Sequence, residues 1–321
     1  MLDTRRTPRP LALTVRPNAI GSALGILGDE WALLIVRGAF EGARRYGDWK
    51  VQLPISDAVL TARLGSLVDG KVLERVAAAD GSGRHEYALG PAGRDLWQLL
   101  LCIWAWELHH VPGQADRLPR MVHATCGQPF QPVLRCARCG VAAGVDDVDA
   151  RFGPSGSFER SAPVGSNRRR STAAGRAAAA GPGMFADTMA VIGSRWSSAL
   201  LGAAFLGARR FRDFEQIGAP PTVVADRLRS FVALGVLETT GGDPGEPAAY
   251  QLSAKGQALF PVVVSFLVWG ERWRPAADGP AVVATHRSCG GPFVPELACS
   301  ACDEVVERRA LQIEAPSRSL R

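Results

Sequence analysis

The chain has 321 residues, 47% hydrophobic and 21% charged, values that exclude a wholly disordered or collagen-like polypeptide and fit about two globular domains. No run reaches the ~18 uninterrupted apolar residues of a membrane span. The longest candidates, Leu96–Trp106 and Ala258–Trp269, are broken by Gln98 and Pro261, and the first 17 residues hold four Arg and no apolar leader core, so a cytoplasmic location is expected.

The net charge of +6 is localised. Residues 1–150 carry 17 basic and 16 acidic side chains, residues 151–182 carry 6 and 1, and residues 183–321 carry 14 and 14. Any nucleic-acid face on the flanking halves must therefore come from local clustering of charge.

Residues 1–17 read as an N-terminal tail. Ala19–Leu27 and Trp31–Phe40 then carry apolar residues at helical spacing, separated at Gly28. Arg44–Lys50 reads as a short helix after Gly42. Ser56 is a good N-cap for a further helix with Val59, Leu60, Leu64 and Leu67 on one face, ended by Gly70. Val72–Ala78 and His85–Leu89 alternate like strands around a hairpin tip at 80–83. Pro91 opens a long helix through Trp97, Ile103 and Trp106.

The whole pattern then returns. Gly28-Asp29-Glu30-Trp31 recurs as Gly193-Ser194-Arg195-Trp196, Gly42–Tyr46 as Gly207–Phe211, Tyr87-Ala88-Leu89 as Tyr250-Gln251-Leu252, and His123, Cys126, Cys136 and Cys139 as His286, Cys289, Cys299 and Cys302. The offset drifts only from 165 to 163 residues, which identifies a tandem duplication. The expected fold is mainly α with small β wings (α+β), as two winged helix-turn-helix domains at 18–112 and 183–275. Each carries a small zinc-ribbon-like tail, at 113–150 and 276–310. A flexible basic linker is expected at 151–182, where Arg168-Arg169-Arg170 could touch phosphate or simply be solvated, and a C-terminal tail at 311–321.

With these motifs the chain resembles the HxlR-type winged helix-turn-helix regulators over about 90 residues in each half. The resembling segments are Gly28–Trp31, Gly42–Tyr46, Ile55-Ser56, Leu60–Leu64, Gly70–Arg75 and Tyr87–Gly93, with Gly207–Phe211, Gly235–Glu238 and Tyr250–Gly256 in the second half. The resemblance implies a bacterial transcription regulator that binds double-stranded operator DNA and associates through its terminal helices. The association would be an intramolecular pseudo-dimer or a homodimer. Many members carry a Cys just before the first long helix, but 17–22 and 183–188 have none, so that mode of oxidant sensing is not expected here.

In such a fold the second helix of the pair reads the major groove and the wing lies on the backbone or minor groove. Arg44, Arg45, Arg209 and Arg210 are candidates for phosphate. Arg63, Arg227, Ser56, Thr61 and Thr222 lie on or near the reading helices, and Arg84 and His85 on the first wing. The second wing, 241–247, has two acids and no base, so the first unit is expected to hold DNA more firmly.

Six of the seven Cys fall into two copies of His-x2-Cys-x9-Cys-x2-Cys. Cys3His is a regular structural zinc set, so His123, Cys126, Cys136 and Cys139 are expected to hold one ion and His286, Cys289, Cys299 and Cys302 another, each within its own tail. Redox use of the Cys-x2-Cys pairs is the rival. Cys102 is expected to be a buried thiol. No catalytic motif is present, so no enzyme activity is expected. The alternative function is a winged-helix protein-interaction or assembly module with weak or no DNA binding in the second unit. A small-molecule effector held where Trp97, Trp104, Trp106 and Trp269 gather is weighed against plain core packing.

Overall fold

The computed structural model describes residues 16–78, 83–162, 186–241 and 248–314. The hairpin tip at 79–82, most of the second wing at 242–247, and the Arg triplet lie outside the described residues.

The first unit runs α1 (Ala19–Leu27), α2 (Glu30–Phe40), α3 (Tyr46–Gln52), α4 (Asp57–Asp69), β1 (Leu73–Ala77), β2 (His85–Leu89), α5 (Pro91–Arg94) and α6 (Trp97–His110). Local chemistry fixes the boundaries. The Asp29 carboxylate accepts from the N–H groups of Trp31 and Ala32 at 3.0 and 3.3 Å, capping α2. Ser56 caps α4 through Val59 N–H. Leu60, Leu64 and Leu67 recur one turn apart and are buried, so α4 sinks one stripe and exposes the other. Its end is followed by Lys71 at φ 58°, a left-handed turn; the duplicate position is Gly235 at φ 68°. The expected long helix after Pro91 is broken at 95–96 into α5 and α6.

The second unit repeats this order as α8 (Ala186–Ile192), α9 (Arg195–Phe205), α10 (Phe211–Glu215), α11 (Pro221–Ala233), β7 (Leu237–Thr240), β8 (Ala249–Leu252), α12 (Ala254–Gln257) and α13 (Phe260–Trp273). The cores match across the duplication. Fully buried Trp49 meets Tyr87 edge-on at 5.7 Å, and Phe214 meets Tyr250 in the same way at 6.0 Å. None of the described helices is long and apolar enough to cross a membrane.

The two halves pack about a pseudo-twofold axis, marked by residues that meet their own duplicates. Asp29 bridges Ser194. Cys102 Sγ lies 3.4 Å from Ser265 Oγ. Leu134 pairs with Leu297. Two indoles form a reciprocal clasp: Trp106 Nε1 donates to Lys255 O at 3.1 Å and Trp269 Nε1 to Ala92 O at 2.8 Å. Helices α6 and α13 pack on one another, and α1 packs on α13. The tryptophans thus serve core and interface packing, and two of them are committed to cross-unit hydrogen bonds.

The tails exchange strands. The first contains β3 (Arg120–His123), β4 (Gln128–Pro129), β5 (Pro132–Cys136) and β6 (Val148–Phe152), followed by α7 (Phe158–Ser161); the second contains β9 (Val282–His286), β10 (Pro295–Cys299) and β11 (Leu311–Glu314). β5 pairs antiparallel with β10, β6 with β9, and β11 with β3.

Two expected boundaries are corrected by this exchange. Residues 151–162 are folded rather than linker. Phe152 and Phe158 pack edge-on at 4.9 Å, Asn18 donates to Ser155 O and Ser161 Oγ, and Arg160 pairs with Asp278. Residues 311–314 form a paired strand rather than a terminal tail. In both cases the strand partner lies in the other half, which local composition does not reveal.

Candidate nucleic-acid interface and metal centres

The exposed faces of α4 and α11 present Ala58, Thr61 and Ala62 in one unit and Thr222, Asp226 and Arg229 in the other. Ser56 is exposed but its hydroxyl is engaged as the α4 cap. The Tyr46 hydroxyl donates to Asp57 at 2.6 Å, and Lys50 Nζ lies 3.3 Å from the same carboxylate. These contacts hold Asp57 below the usual carboxylate range, the tyrosine bond contributing most. They also link α3 to the start of α4.

Arg63 departs from the expected role. Its guanidinium reaches back 2.5 Å to Asp29 near the pseudo-dyad, and its side chain is only 21% exposed. It ties α4 to the unit junction. Arg227 is half-buried at the matching position, while neighbouring Arg229 pairs with Asp226. Arg84 and His85 are exposed on the first wing.

The Arg pairs sit on a repeated scaffold. Asp48 Oδ2 accepts from the N–H groups of both Arg44 and Arg45 at 2.8 and 2.7 Å. Asp213 does the same for Arg209 and Arg210 at 3.0 and 2.7 Å. These backbone donors hold both carboxyls below their ordinary range. The signal was visible in sequence as Arg-Arg-aromatic-x-Asp, occurring twice.

The side chains differ between the units. In the first, buried Glu86 receives Arg45 Nε at 2.9 Å and lies 3.8 Å from Arg44 Nη1. In the second the duplicate of Glu86 is Ala249. Arg209 Nη1 there donates to the carbonyls of Ala204, in the last turn of α9, and Ala208, just beyond it, and Arg210 is exposed with no ion pair among the described residues. The two Arg pairs thus share a backbone scaffold but differ in the partners of their side chains.

The metal-ligand residues come together, but not as the spacing predicts. One cluster is His123, Cys126, Cys299 and Cys302; the other is Cys136, Cys139, His286 and Cys289. Each set takes His-x2-Cys from one tail and Cys-x2-Cys from the other. The expectation of one site within each tail is therefore corrected. The nine-residue run contains β5, whose extended course over roughly 15 Å carries Cys136 and Cys139 away from His123 and Cys126.

The donor geometry fits a tetrahedral zinc ion. Ligand atoms in each set lie within 4.8 Å of one another. His123 Nδ1 is 3.3 Å from Cys302 Sγ and 3.7 Å from Cys126 Sγ, and Cys126 Sγ is 4.0 Å from Cys299 Sγ. In the second set His286 Nδ1 is 3.3 Å from Cys139 Sγ and 3.6 Å from Cys289 Sγ. Zinc–sulfur bonds of about 2.3 Å imply sulfur–sulfur separations of roughly 3.8 Å. Both histidines are fully buried, and their rings pack on Phe130 and Phe293 at 5.6 and 5.8 Å. All seven thiols are free. Cys102 is pushed up to about 12 by burial, which makes it unreactive.

The profile of the family described as HxlR-like helix-turn-helix matches residues 26–114 and 191–278, more than half of the chain. HTH-type transcriptional regulators of Mycobacterium tuberculosis and Mycobacterium bovis are 35% identical over 137 residues, 43% of this chain and 87% of theirs. Two solved structures described as candidate transcription factors are also similar. One is 32% identical, with a TM-score of 0.36, covering 40% of this chain and 92% of its own. The other, from Pseudomonas aeruginosa, is 28% identical, with a TM-score of 0.32, covering 44% and 97%.

Proposed function

Because the chain belongs to the HxlR-like helix-turn-helix family, we propose that it is a transcription regulator carrying its own dimer partner, with α4 and α11 reading successive major grooves of one operator. The observation that carries this reading is the pseudo-dyad. Reciprocal contacts at Cys102–Ser265, Leu134–Leu297 and the two indole clasps relate the exposed reading helices by a near-twofold axis, the symmetry a palindromic operator presents. Phosphate contacts come from the Arg44/Arg45 loop and from Arg210, which lie at the starts of α3 and α10, the helices that precede the reading helices.

In the same proposal each composite Cys3His set holds one structural zinc ion, which would supply four bonds fastening one tail to the other. His123, Cys126, Cys299 and Cys302 hold the first ion; Cys136, Cys139, His286 and Cys289 hold the second. Four protein ligands leave no open position for water or substrate, in keeping with a binding role rather than catalysis.

Footprinting on the DNA upstream of the protein's own coding region tests the reading. The expected result is a protected palindrome with half-sites about one helical turn apart and an affinity that falls steeply with salt. Absence of any salt-dependent affinity for duplex DNA would overturn it.

A further inference from the structure

An apolar cavity of about 320 Å³ lies between the halves. Leu24 and Leu99 from the first unit, Val145 from the first tail, and Phe205, Phe260 and Phe266 from the second unit line it. We propose that this cavity is a binding site for one uncharged, hydrocarbon-rich small molecule per chain, of aromatic or branched aliphatic type.

Several of the residues lining this space are larger at the duplicated positions on the other side of the pseudo-dyad. The duplicates of Val145 and Phe205 are Arg308 and Phe40, and there the Arg308 guanidinium lies over the Phe40 ring at 5.6 Å. Ala199 and Gly202, which also line the cavity, correspond to the larger Leu34 and Arg37. Three positions are thus smaller on the cavity side than on the other. A Cβ added at Gly202 would meet nothing within 4 Å, so this helix faces open space there.

The lining also sets the ligand chemistry. Its polar side chains are already engaged: Ser198 Oγ donates to Ile192 O, Ser161 Oγ accepts from Asn18, and Asp149 is held by Arg287 at 2.7 Å. A charged ligand would lose its hydration with no counter-ion to replace it. An apolar ligand would gain contact with several aromatic rings in a space of the usual small-molecule size.

The test uses the full chain without DNA, so its failure is separable from failure of the regulator reading. The uncharged fluorophore N-phenyl-naphthylamine is titrated into the protein. The expected result is saturable binding at one per chain, weakened at least tenfold by Gly202→Leu and by Ala199→Leu, with circular dichroism unchanged. Gly202→Leu is suited to this because its first added carbon meets no neighbour and leucine favours helix. Non-saturable binding, or binding unchanged in both folded variants, would overturn the proposal.

Discussion

Replacing Glu86 with Gln should tighten DNA binding. Its carboxylate is 9% exposed and holds Arg45 at 2.9 Å and Arg44 at 3.8 Å, while those side chains are 53% and 62% exposed. At an effective dielectric near 20 one such pair has a Coulomb energy of about 4 kcal/mol. Exposure of the guanidinium side and salt screening reduce this to at most about 1 kcal/mol per arginine. Releasing both arginines toward phosphate therefore predicts a gain of about threefold to thirtyfold at low salt, since each 1.4 kcal/mol is about tenfold. Each new phosphate contact should also steepen the salt slope by about 0.9. The converse substitution, Ala249→Glu, should weaken binding by a similar factor by placing the same acid beside Arg210. The assay is fluorescence anisotropy with one duplex across a salt series, with thermal melts confirming the folds. Weaker binding by folded Glu86→Gln would show that Glu86 aims the arginines rather than restrains them, and would refute the reasoning.

Two further outcomes follow from the backbone and the buried thiol. Lys71 adopts φ 58°, where its duplicate is Gly235; Lys71→Gly should raise stability by up to about 1 kcal/mol in chemical denaturation, and a loss would contradict the strain argument. Cys102, pushed by burial from the ordinary thiol value of 9.0 up to about 12, favours the folded state while unfolded thiols remain protonated, and this contribution is lost as pH rises from about 9 toward 12. Stability of the native chain should therefore fall by an extra ~1 kcal/mol per pH unit in that window relative to Cys102→Ala; parallel pH profiles would contradict it.

The helices of each unit were legible because their apolar stripes, caps and stop residues are local, as Ser56, Leu60, Leu64 and Leu67 illustrate. The duplication was legible because Trp, His and Cys recur at a near-constant offset. The partition of the metal ligands was not. Two copies of His-x2-Cys and Cys-x2-Cys fit two sites equally well within or across tails, and only the pairing of β5 with β10 and of β11 with β3 decides between them. Arg63 was misplaced for a related reason. Helical spacing puts it on α4, but the turn of its guanidinium back to Asp29 comes from the packing of α4 against the start of α2.

The exchange of ligands between tails is tested most directly by zinc content in two crossed double variants of the reduced, full-length chain. Cys126→Ala with Cys139→Ala removes two ligands from one tail but damages both composite sites, so it should retain no tightly held zinc. Cys126→Ala with Cys302→Ala removes one ligand from each tail but damages a single composite site, so it should retain one ion per chain. The opposite pattern, one ion in the first variant and none in the second, would contradict the account.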